Sequence, residues 1–310
     1  MKKIWGLLKI HWKEDFSPGY YSCIVLFLAV SLTFNYSIGL ENLVIDQHPD
    51  KFVRIFWYLL LYGTAYYGTF LLMVLFKKRK DLLASTQFWM LTLAGILLLA
   101  INSGFSYMPI ILRQFEIDIK IYLWVFSIAN NTIGFIIVSL PLIFLGLFTH
   151  TKTKLYGLTS AGFDFKPYFI LLLGVFPFII LASFENSFQN YYPTYKSNSV
   201  AEILNWPTWL PVIIYEFIYG IDFFNTEFIF RGFMVIGLAH LMGKDTIIPM
   251  VSMYCFLHFG KPAGEAISSI LGGYVLGVIA FYSRSIWGGV IIHIGIAWMM
   301  ELMAYLQKIY

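Results

Sequence analysis

Polar residues in this chain are gathered between long apolar runs. Such runs occupy residues 20–37, 55–76, 82–103, 121–148, 168–184, 209–242, 246–259, 265–282 and 286–306. Most approach or exceed the ~20 residues that a helix rising ~1.5 Å per residue needs to cross a hydrocarbon layer of ~30 Å. The pattern therefore predicts an all-α fold, a polytopic transmembrane helical bundle of about nine or ten hydrophobic segments. The count turns on 209–242: it reads either as one helix of ~50 Å or as two segments broken near Asn225 and Thr226, with Thr226 as N-cap.

Three regions follow. Residues 1–19 open with an apolar run interrupted by Lys9, His11 and Lys13, without a small-residue cleavage site, which argues against a signal peptide. Trp5, Leu8 and Trp12 share a helical face, so an amphipathic helix lying in the interface is expected. Residues 20–206 form an N-terminal transmembrane half, with a kink expected at Pro177. It closes in the longest polar stretch, 185–206, and residues 207–310 form a C-terminal core. The Lys77–Lys80 cluster, the basic N-terminus and the loop carrying Lys152, Lys154 and Lys166 fall on one side when the spans alternate, so the N-terminus is expected to be cytoplasmic. Asn130 and Asn131 could line a path, with bonding between helices the use expected first.

Composition agrees: 59% of residues are hydrophobic and 12% charged, against ~25% charged in soluble domains, and the mean hydropathy is +0.73. The net charge of +4 reflects basic loops between spans, so no nucleic-acid partner is implied. Cys23 and Cys255 lie far apart in apolar segments and offer neither a disulfide framework nor a metal motif.

Against that apolar background one stretch stands out, Asp222-Phe-Phe-Asn-Thr-Glu-Phe-Ile-Phe-Arg231. Glu227 and Arg231 are four apart with the acid first, the better order for a helical ion pair. Charges at membrane depth are costly and usually face a bundle interior or a cavity, so they mark function by default; a buried structural pair is the plain alternative. His258 and His293 each lie well inside later apolar segments. A lone intramembrane His is most often helix glue, but two of them after an acid look like a constructed site. Ser269, Gly273 and Gly277 form one small-residue ridge, and Gly289, His293 and Ala297 a second that leaves room beside an imidazole.

The order Glu227 to Gly232 (Glu-x-x-x-Arg-Gly), Tyr254 to His258 (aromatic-x-x-x-His), then Gly-Gly-Tyr-Val-Leu-Gly and Ser-Ile-Trp-Gly-Gly-Val-Ile-Ile-His293 resembles the CAAX protease and bacteriocin-processing (Abi) family of intramembrane endopeptidases, over roughly residues 215–303. The resemblance implies a first motif Glu-Glu-x-x-x-Arg, whose first Glu activates water with help from the second-motif His, and a third motif His-x-x-x-Asn that stabilises the oxyanion. Arg231, His258 and His293 match. Glu227 falls on the second Glu, Thr226 stands where the first should be, Ala297 replaces the Asn, and Tyr254 stands for the more usual Phe.

The expected function is an intramembrane endopeptidase hydrolysing a peptide bond with a Glu/His-activated water, with Glu227, His258 and His293 catalytic and Arg231, Asp222, Thr226 and Tyr254 supporting. Glu227, Asp222 or Glu216 are the carboxylates available as base. Glu227, His258 and His293 would also suit zinc, but His-Glu-x-x-His is absent, so a metal-free site without cofactor is the reading adopted. The partners expected are the lipid bilayer and a membrane-associated or prenylated peptide, and the location a bacterial cytoplasmic membrane. A non-catalytic scaffold or immunity protein of the same fold is the alternative favoured by Thr226 and Ala297. A transporter with an intramembrane Glu–Arg pair is another.

Overall fold

A computed structural model of the chain describes residues 2–105, 107–148, 154–160, 163–195 and 199–309, and every regular element among them is helical. The N-terminal helices are α1 (Lys2–Asp15), α2 (Pro18–Ile38), α3 (Lys51–Lys77), α4 (Thr86–Gly104), α5 (Tyr122–Phe148) and α6 (Lys166–Ala182). The C-terminal core contains α7 (Trp209–Glu227), α8 (Ile247–Phe256), α9 (Ala263–Ser283) and α10 (Trp287–Ile309). Seven stretches among the described residues are long and apolar enough to cross a membrane, with Trp209–Phe256 taken as one; α6 is shorter. The outward surface carries Leu75, Phe144, Leu173, Phe178 and Leu271, all exposed, as a lipid-facing bundle requires. The expected polytopic bundle is thus the observed one.

The ambiguous stretch is continuous. Thr226 caps nothing: its hydroxyl donates to the Asp222 carbonyl one turn back at 3.1 Å. After Glu227 the helix widens into π-helical i→i+5 turns over Phe228–Gly237, all ten residues of which are buried. Wide turns of this kind recur at functional sites. The chain then reverses at Gly243, whose φ of 62° is in the left-handed region. Pro177 lies inside α6 and does not end it.

One apolar core runs without interruption from Tyr20, Phe70 and Phe88 to Phe230, Phe233 and Met253. The first small-residue ridge packs as expected. A Cβ on Gly273 would stand 3.1 Å from the Tyr254 ring, and one on Gly277 2.7 Å from the end of Met250, so glycine sets how closely α9 approaches α8.

At one end of the bundle α1 lies against α9 with Ile4, His11 and Asp15 inward and Trp5 and Trp12 outward. Leu8 departs from the expected face by packing on the core. An ion network closes this end: Lys77 reaches Asp15 at 2.6 Å and Asp245 at 2.7 Å, and Arg79 reaches Asp245 at 3.1 Å. At the other end Asn35 donates to the Phe259 carbonyl at 2.9 Å and Tyr36 to that of Lys261 at 2.8 Å. The loops therefore sort to two ends as the alternation of spans requires; Lys152 lies outside the described residues.

Candidate active site

The charged residues of α7 and its continuation point into the bundle, where Glu227 and Arg231 are fully buried. Their spacing brings Arg231 Nη1 to 2.8 Å from Glu227 Oε1. The same oxygen meets His293 of α10, whose Nδ1 is 3.1 Å away. A carboxylate only accepts, so Nδ1 carries the proton and Nε2 keeps its lone pair. That nitrogen is 3.3 Å from the Tyr254 hydroxyl, which then donates to it. Four residues from three helices are linked in order: Tyr254, His293, Glu227, Arg231.

Aromatic packing fixes this chain laterally. The Arg231 guanidinium lies 4.3 Å from the Tyr254 ring centroid, a cation–π contact in a water-poor setting. Phe223, one turn before Glu227, lies 4.5 Å from the His293 ring centre to centre. Phe223 was not singled out in the sequence; its i, i+4 spacing to Glu227 is the one signal that could have found it. Gly289 clears the space in which the Glu227 carboxylate sits, since a Cβ there would collide with Oε2.

His258 joins through the backbone. Its Nδ1 is 2.8 Å from the Tyr254 carbonyl, which must accept, so Nδ1 is protonated and Nε2 is left as an acceptor. Its ring centre lies 4.6 Å from that of Tyr254. Tyr254 is thus the hub between the two histidines. Several groups at the centre keep unused valences: Glu227 Oε2, Arg231 Nε and Arg231 Nη2 have no partner among the described residues.

The other candidate carboxylates lie elsewhere. Glu216 is eleven residues before Glu227 on a continuous helix, ~16 Å of rise, too far to share its water. Asp222 lines a polar cavity of about 450 Å³ with Glu41, Asp46, Asn102, Asn130 and Asn131. Among the described residues no hydrogen bond ties it to Glu227 or His258. Asn130 and Asn131 thus line a cavity, where bonding between helices was expected. Asn225 does the interhelical bonding instead, accepting from Ser139 at 2.8 Å. Ala297 is buried and brings no donor. Among the described residues no group of three His, Cys, Asp or Glu side chains is arranged to hold a metal ion.

Fold and site together define an integral multi-pass membrane protein whose C-terminal core holds an intramembrane Glu–Arg–His cluster. Residues 204–299 match the family model described as Type II CAAX prenyl endopeptidase Rce1-like, in line with the resemblance carried by the motifs of this core. No curated protein and no solved structure matches the chain.

Proposed function

We propose that this protein hydrolyses a peptide bond of a membrane-anchored substrate, with His258 as general base and His293, held by Glu227, as the group that receives charge. The observation that carries this reading is the pair of fixed tautomers: both imidazoles give Nδ1–H to a protein acceptor and turn Nε2 free of a proton. His258 Nε2 takes a proton from water as its oxygen attacks the carbonyl carbon. His293 takes up a proton at its free Nε2 from solvent as the substrate binds, the imidazolium being stabilised by Glu227, and donates Nε2–H to the carbonyl oxygen beside the Tyr254 hydroxyl that this proton releases. The protonated His258 then gives its proton to the leaving amine as the C–N bond breaks. Glu227 acts through His293, which accounts for activity without an acid at Thr226. The substrate's anchor, by the family's description, is a prenyl group.

The second reading, a non-catalytic relative, draws on Thr226 and Ala297, neither of which offers a base or an oxyanion donor. Cleavage of a membrane-tethered farnesylated peptide by protein in lipid nanodiscs separates the two. His258→Gln should lower turnover by about 10²-fold or more at an unchanged melting temperature. No cleavage by the wild-type protein would end the peptidase reading, and turnover by the variant at the wild-type rate would remove His258 as its base.

A further inference from the structure

The polar cavity beside the site has chemistry of its own. Three carboxylates line it: Glu41 from the turn after α2, Asp46 just beyond, and Asp222 from α7. Asp46 is already compensated, by Arg54 at 3.0 Å and the Tyr58 hydroxyl at 2.8 Å. Glu41 is not. Its Oε1 meets the Gly260 backbone and shares, at 3.3 Å, the Tyr58 hydroxyl that donates to Asp46, and the residue is 8% exposed, yet Oε2 has no partner. A buried carboxylate oxygen without a donor is costly unless a ligand supplies one. Lys261, the lysine at this end, is held at 2.6 Å by Glu265.

We propose that this cavity binds the guanidinium or ammonium group of a basic side chain in the peptide substrate, between Glu41 and Asp222. The assignment rests on the peptidase reading for the identity of the chain that carries the group. A volume of about 450 Å³ suits a side chain and exceeds a bare ion, and no three His, Cys, Asp or Glu side chains among the described residues are arranged to hold a metal. Carboxylates and amide oxygens of Asn102, Asn130 and Asn131 repel a prenyl chain and suit a planar cation with several N–H donors. Position agrees as well. Asp222 is five residues from Glu227, ~7.5 Å of helix rise. Leu257, which also lines the cavity, adjoins His258. An extended peptide advances ~3.3 Å per residue, so the bound side chain belongs two or three residues from the scissile bond. Burial and then Asp46 push the Glu41 carboxyl up to about 8, so its negative charge develops fully only above that pH unless a cation is bound beside it.

The test uses full-length protein in nanodiscs and two small probes, N-acetyl-arginine methylamide and its neutral citrulline counterpart, with affinity read by calorimetry at pH 8.5. The arginine probe should bind at least tenfold more tightly. Glu41→Gln and Asp222→Asn, each removing one charge at constant shape, should each weaken it by fivefold or more, whereas Asp81→Asn, an exposed carboxylate at the opposite end of the bundle, should leave it intact. Equal binding of the two probes, or wild-type affinity in both cavity variants, would overturn the assignment. Cleavage is scored separately on tethered peptides with arginine or citrulline two and three residues from the scissile bond. Arginine binding without any cleavage would sink the peptidase reading and leave a cation pocket; cleavage indifferent to arginine, with no probe binding, would sink the pocket and leave the peptidase.

Discussion

Gly289 and Glu227 occupy one volume between them: the carboxylate of one fills the space where any side chain on the other would sit. Gly289→Ala should therefore push the carboxylate off His293 and Arg231, with a loss of about 1–3 kcal/mol from overpacking and a larger fall in turnover. Gly264, which has nothing within 4 Å of its Cβ direction, supplies the control. Gly264→Ala should be neutral or stabilising by up to ~1 kcal/mol through helix propensity. Thermal unfolding of the two variants in detergent decides the matter, and equal behaviour would mean that Glu227 relocates freely.

The buried ion pair makes a second prediction. Glu227→Gln or Arg231→Met alone leaves its former partner without a counter-charge in the bundle interior, a loss of roughly 3–5 kcal/mol. The double variant removes both charges and should be more stable than the worse single. Double-mutant analysis of unfolding would show this as non-additivity, and simple additivity would mean that the pair is solvated in the native state.

Tyr254 separates the two contacts of one side chain. Tyr254→Phe keeps the ring over Arg231 but removes the donor to His293, so stability should fall by only ~1 kcal/mol. Turnover should fall by ~10²-fold if the hydroxyl helps to stabilise the oxyanion. Retention of full turnover would take the hydroxyl out of the mechanism.

Glu41 gives the pH dependence. Its neighbours are Asp46, Tyr58 and Lys261, with Arg54 behind Asp46 and Asp222 across the cavity. Its folded-state value of about 8 lies above the unfolded value near 4.5, so between these the folded state holds a proton that the unfolded state has lost. Stability from this group is then present at acid pH and is lost as pH rises through that window, by at most ~1.4 kcal/mol per pH unit. Glu41→Gln should flatten the melting-temperature profile between pH 5 and 8, and an unchanged slope would refute the assignment.

The site was legible where its chemistry is local. The four-residue spacing of Glu227 and Arg231 and the histidine set among small residues were enough to place three of the linked side chains, because helical periodicity is written along the chain. The hub was less so: Tyr254 stands in its motif as an aromatic, but its double use, ring to Arg231 and hydroxyl to His293, depends on how α8 sits against α7 and α10. Asp222 illustrates the limit. Its spacing to Thr226 is the helical one expected, yet the face it shares looks toward Glu41, 181 positions earlier in the chain, and no local pattern reports such a neighbour. The wide turns after Glu227 have no signature in an apolar run.

The ion network of Asp15, Lys77, Arg79 and Asp245 also sets an order of events during synthesis. The hydrogen bond from Lys244 to the Glu14 carbonyl spans 230 positions of sequence. At ~5–20 residues per second the ribosome needs roughly 10–50 s to supply the second partner after the first. Throughout that interval α1 has no α9 to lie against, and His11 and Asp15, buried in the finished protein, face water or lipid headgroups. α1 is thus among the last helices to find its final neighbours, and synthesis of the C-terminal core is what covers His11 and Asp15.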